Sequence, residues 1–235
     1  MARPNVLLIH GMCCDSSFWE PQVAALSDAG YRVASPDLPW HGGPTAGVTP
    51  SLQGLSEWVA ALADVWPAVI VGHSLGGMIG LDVALRWPER VAGLALIDSF
   101  PSLALNARLL PGMFVKDQAS DVRAWIESER EAILARMTQP VYDTIWPSVC
   151  EFDLTDWLAE IACPVLGVYG GRGVMDESHG ERLRAELMLD RVTGPLTVRI
   201  VPGAGHFVNL EQPDAVTRML LDWLEGLTTK GGATQ

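Results

Sequence analysis

The stretch from Val69 to Ile79 constrains the fold of this chain more than any other. It begins with a β-branched run, continues through Ser74, which has Gly72 two residues before it and Gly76 two residues after it, and ends in a helical pattern. Glycine at both flanking positions lets a strand and a helix approach closely and leaves the serine hydroxyl exposed at the tip of the turn. The following helix would point its free N–H groups and its positive dipole end at that oxygen. A glycine-rich turn whose serine only caps the helix would have the same sequence, so the rest of the chain has to distinguish the two interpretations.

Apolar runs and helical patterns alternate on both sides of this stretch. The apolar runs predict strands at residues 5–9, 31–35, 69–71, 91–97, 164–169 and 196–201. Helical spacing predicts helices at residues 18–29, 51–65, 75–86, 179–189 and 213–227. The alternation with short loops predicts an α/β fold with a mostly parallel central sheet flanked by helices.

Polar residues stand where several of the predicted strands end. They are His10, Asp37, Ser74 and Asp98. Ligands of parallel sheets bind beyond the carboxyl ends of the strands. We therefore expect a functional site at this edge of the sheet.

The alternation stops between residues 99 and 162. This segment has helical patterns, the strongest at residues 120–137, but no convincing strand. We interpret it as a helical cap inserted after the strand that ends at Asp98. The predicted organisation is a core of residues 1–98 and 163–227, a cap of residues 99–162 and a flexible tail of residues 228–235.

The charge balance excludes several classes of partner. Lys and Arg number 16 against 28 Asp and Glu, which gives a net charge of −12. Such a field repels nucleic acid and anionic membranes, and no apolar run approaches the length of a membrane span. The four cysteines contain no CxxC pair, which favours free thiols in a reducing compartment. We expect a cytoplasmic protein without a signal peptide, acting on a small molecule as a monomer or a homodimer.

Three motifs together make the chain resemble the α/β-hydrolase fold superfamily. They are His10-Gly11-Met12 after the first strand, the turn from Gly72 to Gly77, and Gly203-Ala204-Gly205-His206 after the last strand. The resemblance implies that Ser74 is a nucleophile and that His206 is the base that takes its proton. It assigns the oxyanion hole to the backbone N–H groups of Met12 and Leu75.

The acid that would support His206 departs from the common pattern of this superfamily. The usual place is three residues after the glycine that ends the strand beginning at Pro164, and Gly173 stands there. Asp98 ends the preceding strand, where some members carry the acid, and Asp176 lies three residues late in the expected loop. We favour Asp98 and keep Asp176 as the alternative.

The apolar residues near the strand ends and in the cap predict a pocket for an apolar or aromatic group. The candidates are His10, Cys13, Trp40, Met113, Phe114, Trp125, Trp146 and Phe207. Together with this predicted pocket, the resemblance implies a serine hydrolase that cleaves a small carboxylic ester or lactone through an acyl-enzyme. It implies neither a metal nor an organic cofactor.

Two other functions stay open from the sequence. One keeps the fold and the Ser74 and His206 pair but performs different chemistry, as a C–C bond hydrolase, an acyltransferase, a lyase or a cofactor-free dioxygenase. The other is a ligand-binding module without catalysis. A strained serine disfavours the second function, because binding alone does not need it.

Overall fold

A computed structural model describes residues 3–105, 128, 131, 139–171 and 175–230. Within these residues six strands form one parallel sheet in the order β2-β1-β3-β4-β5-β6. Their bounds are β1 Asn5–Ile9, β2 Val33–Ala34, β3 Ala68–His73, β4 Val91–Ile97, β5 Val165–Gly170 and β6 Leu196–Val201. The predicted α/β class with a mostly parallel central sheet is confirmed.

Helices connect the strands and cover the sheet. The α-helices of the described residues are α1 Glu20–Asp28, α2 Leu52–Ala60, α3 Leu75–Arg86, α4 Gln139–Cys150, α5 Gly180–Glu186, α6 Val208–Glu211 and α7 Pro213–Lys230. Short 3-10 turns lie at Ser16–Trp19, Pro88–Arg90, Leu158–Glu160, Glu177–His179 and Leu189–Arg191.

The sheet is buried on both faces, which explains the continuous apolar runs. Alternate residues of β1 point to opposite sides, so that Leu7 and Ile9 join one core cluster while Val6 and Leu8 join the other. The first cluster includes buried residues of α2, α3 and α4, and the second includes buried residues of α1 and α7. Helices therefore pack on both faces, and the carboxyl ends of the central strands stay at one shared edge.

Several predicted boundaries differ from the structure. The second strand contains residues 33–34 only. Helix α2 ends at Ala60 instead of Val65, with Ala61 as its C-cap, and the chain then passes through Asp64, at a positive φ of 60°, before β3. Helix α7 extends through Lys230, so Thr228–Lys230 are helical rather than part of the predicted tail; the Thr228 hydroxyl donates to Glu225 O at 2.7 Å.

Helix α4 is the main described element between β4 and β5. Its buried Ile145 and Val149 belong to the same core cluster as Leu52 at the start of α2, and Leu52 N–H donates to Ser148 Oγ at 2.8 Å. Of residues 120–137, where the cap helix was predicted, the structure describes Ser128 and Glu131, both helical, and the others lie outside the described residues. None of the described helices has the length and apolarity that a membrane span requires.

Candidate active site

Ser74 lies between the end of β3 and the first residue of α3, in a strained backbone conformation. Its φ of 50° and ψ of −116° fall outside the regions that most residues adopt. The Ser74 N–H donates to Ile97 O at 3.1 Å, and the Ser99 hydroxyl donates to Ser74 O at 2.6 Å. These contacts bind the turn to the end of β4 and hold the serine in place.

The glycines of this turn are required by close backbone approach. A Cβ atom on Gly72 would lie 2.3 Å from the backbone of Gly76, and one on Gly76 would lie 2.1 Å from Ile9 O. Neither contact is compatible with a side chain, because backbone atoms on both sides would have to move. The glycine spacing thus allows β3, α3 and β1 to meet at Ser74.

We expect Gly76→Ala to lower the free energy of unfolding by at least about 3 kcal/mol, because its Cβ overlaps the β1 backbone. Gly226→Ala is the matched control, since a Cβ there meets no atom within 4 Å on α7. That control should raise stability by up to about 1 kcal/mol. Urea unfolding of both variants measures the difference, and equal stability of Gly76→Ala and the unaltered protein would contradict the described turn.

His206 lies in the loop after β6 and is hydrogen-bonded to the side chain of Asp98. His206 Nδ1 is 2.6 Å from Asp98 Oδ2, and Gly170 N–H donates to Asp98 Oδ1 at 3.1 Å. Both side chains are buried, with 3% and 0% of their surfaces exposed. A carboxylate only accepts, so Nδ1 carries the donated proton and Nε2 is left with a lone pair. This arrangement fixes the tautomer that a general base needs.

Asp176 lies elsewhere. It is exposed and caps the 3-10 turn Glu177–His179, where its carboxylate accepts from Ser178 N–H and contacts His179 Nδ1 at 3.0 Å. Hydrogen bonds from Ser178 are the main reason that the pKa of Asp176 is lowered. Of the two candidate acids, the structure brings Asp98 to His206 and uses Asp176 as a helix cap.

A cavity of about 250 Å³ opens beside Ser74 and His206. The lining residues that the sequence singled out are Met12, Cys13, Ser74, Leu75, Trp146, His206 and Phe207. The lining residues that it missed as pocket residues are His73, Met78, Leu103, Tyr142 and Val149. Apart from the site histidines and Ser74, this wall is formed mainly by apolar and aromatic side chains.

Helical spacing explains why most of the lining residues that the sequence-based prediction missed lie at the cavity. Tyr142, Trp146 and Val149 follow each other at intervals of four and three residues on α4, so they share one face, and Met78 lies one turn after Ser74 on α3. The rings of Tyr142 and Trp146 are stacked, with centroids 5.9 Å apart and an interplanar angle of 11°. Helical spacing from Trp146 would have predicted that Tyr142 and Val149 lie on the same face of α4 and line the cavity with it.

His10 and Trp40 do not line the cavity, which corrects their prediction as pocket residues. Both nitrogens of His10 are hydrogen-bonded to the backbone: Nε2 accepts from Leu38 N–H at 2.9 Å, and Nδ1–H donates to Gly11 O at 2.9 Å. Because Nε2 accepts a hydrogen bond, the ring is neutral, and burial lowers the pKa of His10. Trp40 sits in a turn with a φ of 63° and packs against the core. The other pocket candidates, Met113, Phe114 and Trp125, lie outside the described residues.

Met12 and Leu75, whose backbone N–H groups were predicted to form an oxyanion hole, line the same cavity as Ser74. Leu75 is the first residue of α3, so its N–H has no acceptor within the helix. Met12 belongs to the turn closed by Cys14 N–H donating to Gly11 O at 3.2 Å, with Cys13 at a positive φ of 54°. Both residues line the cavity, as an anion-binding pair beside the hydroxyl requires.

His73 is a buried neutral histidine that packs against His206. Burial, together with the nearby His206, lowers the pKa of His73 to about 3. Its Nε2 lies 2.9 Å from His206 O, and a carbonyl accepts only, so Nε2 donates. The interaction joins the turn of Ser74 to the loop of His206.

Comparison with known proteins identifies relatives across most of the chain. Residues 6–219 match the model of a family described as the alpha/beta hydrolase family. A pimeloyl-(acyl-carrier protein) methyl ester esterase of Neisseria meningitidis serogroup C is 27% identical over 252 residues, which cover 96% of this chain and 95% of the relative.

Solved structures of similar fold also match most of the chain. The enol-lactonase from Burkholderia xenovorans LB400 has a TM-score of 0.76 at 24% identity and covers 96% of this chain and 92% of its own. A thermophilic esterase from Thermogutta terrifontis has a TM-score of 0.75 at 26% identity, with 95% and 90% covered. The relatives are hydrolases of this fold.

Proposed function

The chain belongs to the alpha/beta hydrolase family, and from that premise we propose that it is a serine hydrolase acting on a small carboxylic ester or lactone. The observation that carries the proposal is the position of His206. Its Nδ1 is bonded to the buried Asp98 at 2.6 Å, while His206 and Ser74 line the same cavity. This order of acid, base and hydroxyl is the one that activates a serine.

The proposed reaction begins with attack of Ser74 Oγ on the carbonyl carbon of the ester. His206 Nε2 takes the hydroxyl proton as the new C–O bond forms, and Asp98 stabilises the resulting imidazolium. The proton then passes to the leaving alcohol oxygen as its bond to the carbonyl carbon breaks. Water adds to the acyl-enzyme by the same route and releases the carboxylic acid and the free serine.

The backbone N–H groups of Met12 and Leu75 serve as the oxyanion hole in this proposal. The negative charge of each tetrahedral intermediate develops on the former carbonyl oxygen. Donors that are already oriented cost no rearrangement at that moment, and losing one costs about 3–4 kcal/mol in comparable sites. The turns at Gly11–Cys14 and Ser74–Leu75 supply two such donors without any side chain.

The cavity supports a substrate with a small apolar or aromatic portion. Its volume of about 250 Å³ lies below the usual range for sites that enclose drug-sized ligands. Met12, Met78, Trp146, Val149 and Phe207 give it an apolar wall against which such a group would be buried. The names of the methyl ester esterase and of the thermophilic esterase among the relatives support an ester as the bond cleaved.

A panel of p-nitrophenyl esters tests the proposal. We expect hydrolysis of acetate and butanoate esters without added metal or cofactor, and a lower kcat/KM for a succinate half-ester, which would place a carboxylate in the apolar cavity. Ester hydrolysis no faster with the protein than in buffer would contradict the proposal. Equal kcat/KM for butanoate and succinate would contradict the apolar specificity alone.

A further inference from the structure

The loop that carries His206 is short and is held by side chains from outside it. The loop follows the end of β6 at Val201, includes Gly203 at a positive φ of 75°, and leads directly into α6. The bond to Asp98 fixes Nδ1, but the position of Nε2 also depends on the backbone that carries the ring. Small misplacements of a reacting group are costly, so what holds this backbone bears on the chemistry.

Glu211 holds the backbone on both sides of His206. Its Oε2 accepts from Gly205 N–H at 2.9 Å, and its Oε1 accepts from Phe207 N–H at 3.2 Å. The carboxylate is half-buried, and this burial is the main reason that the pKa of Glu211 is raised. Both oxygens act as acceptors, and these contacts favour the ionised form, in which both oxygens only accept.

The element that carries Glu211 is itself fixed. Helix α6 is one turn long, and its buried Asn209 donates through Nδ2 to Phe18 O at 2.8 Å. Gln22 Nε2 of α1 donates to Asn209 O at 3.0 Å. These buried bonds anchor α6 to the N-terminal part of the chain, so Glu211 has a defined position from which to hold the loop.

His73 holds the opposite end of the same residue. Its Nε2–H donates to His206 O at 2.9 Å, and the two rings lie with centroids 4.8 Å apart. His206 is thus restrained at its ring by Asp98, at its carbonyl by His73, and at the two neighbouring N–H groups by Glu211.

We infer that Glu211 is a positioning residue for His206: its carboxylate holds the loop so that the imidazole stays aligned between Asp98 and Ser74. The inference rests on the proposed function, in which His206 is the general base. Glu211 is a second carboxylate behind the base, and it acts on the backbone whereas Asp98 acts on the ring. It touches neither the substrate nor the reacting atoms.

Capping of α6 alone does not explain these contacts. Phe207 is the N-cap residue of α6, and a cap would account for acceptance from its N–H. Gly205 lies two residues before that cap and outside the helix, so the bond to its N–H restrains the loop. Because the two accepted groups flank His206, the carboxylate fixes the peptide on which the base is carried.

Two variants separate the charge of Glu211 from its reach. Glu211→Gln keeps the length but replaces one acceptor oxygen by an NH₂ that opposes a backbone N–H. Glu211→Asp keeps the charge but is one methylene shorter, so it no longer spans both N–H groups. We expect each variant to lower kcat for p-nitrophenyl butanoate by about 10- to 100-fold with little change in KM. Glu186→Gln is the control, since Glu186 pairs with the exposed Arg182 on α5.

The pH–rate profile provides a readout that a merely structural role would not move. The titratable groups that interact with Glu211 are Asp98 and His206. Against the larger effect of burial, the Coulombic interaction with His206 lowers the pKa of Glu211, and such an interaction is mutual. Replacing the carboxylate by the neutral amide of Glu211→Gln should therefore move the acid limb of kcat/KM to lower pH. Glu211→Asp should leave that limb in place, because the negative charge is retained.

Urea unfolding, with rates expressed per folded protein, accounts for lost stability. Unchanged kcat and an unchanged acid limb in folded Glu211→Gln would overturn the inference, as would a lower kcat explained entirely by unfolded protein. Failure of the proposed function looks different: the unaltered protein and every variant would then lack ester hydrolysis.

Discussion

Replacing Ser74 with alanine is expected to lower kcat for p-nitrophenyl butanoate by about 10⁶-fold, because removal of the nucleophile abolishes the acyl-enzyme route. The fold should survive, since the substitution removes one oxygen from a side chain that lines a cavity. Steady-state kinetics and urea unfolding of the purified variant measure the two effects separately.

Ser178→Ala is the matched control for this substitution. Ser178 donates to Asp176 on an exposed turn, and its loss should leave kcat unchanged. An activity of Ser74→Ala close to that of the unaltered protein would mean that another group attacks the ester. A Ser74→Ala variant that fails to fold would instead assign the hydroxyl a structural task that the described contacts do not contain.

Asp98→Asn is expected to lower kcat by about 10⁴-fold, because a neutral amide neither fixes the Nδ1–H tautomer of His206 nor stabilises its imidazolium. Asp176→Asn should leave kcat within about twofold of the unaltered protein, since Asp176 only caps a surface turn. Both substitutions preserve size, so the comparison isolates charge. Loss of activity in Asp176→Asn together with an active Asp98→Asn would reverse the assignment of the acid.

Much of the fold was predictable from the sequence because the sheet is buried on both faces. Continuous apolar runs predicted the observed bounds of β1, β4 and β6, and helical spacing predicted the observed bounds of α3, residues 75–86. The short β2 and the early end of α2 were not predictable, because both depend on turns. The φ of 60° at Asp64 leaves no mark in the hydrophobic pattern that continues to Val65.

The placement of the candidate site followed from a rule about sheets. Ser74 and Asp98 end neighbouring parallel strands, so their meeting at one edge could be anticipated from the order of the elements. The sequence favoured Asp98 over Asp176 because Gly173 stands at the usual place of the acid, but the contact of Asp98 with His206 spans 108 residues of sequence, and no local pattern encodes it. The contacts of Glu211 with the His206 loop were missed because they involve backbone N–H groups, which every residue except proline carries.

The central claim is that Ser74 is the activated nucleophile, and covalent labelling tests it most directly. The protein is incubated with a fluorophosphonate probe, digested, and the modified peptide is sequenced by mass spectrometry. We predict one adduct on Ser74, its loss in Ser74→Ala, and much slower labelling of Asp98→Asn, because His206 would no longer be held as a base. A folded protein that hydrolyses esters but carries no adduct at Ser74 would contradict the account.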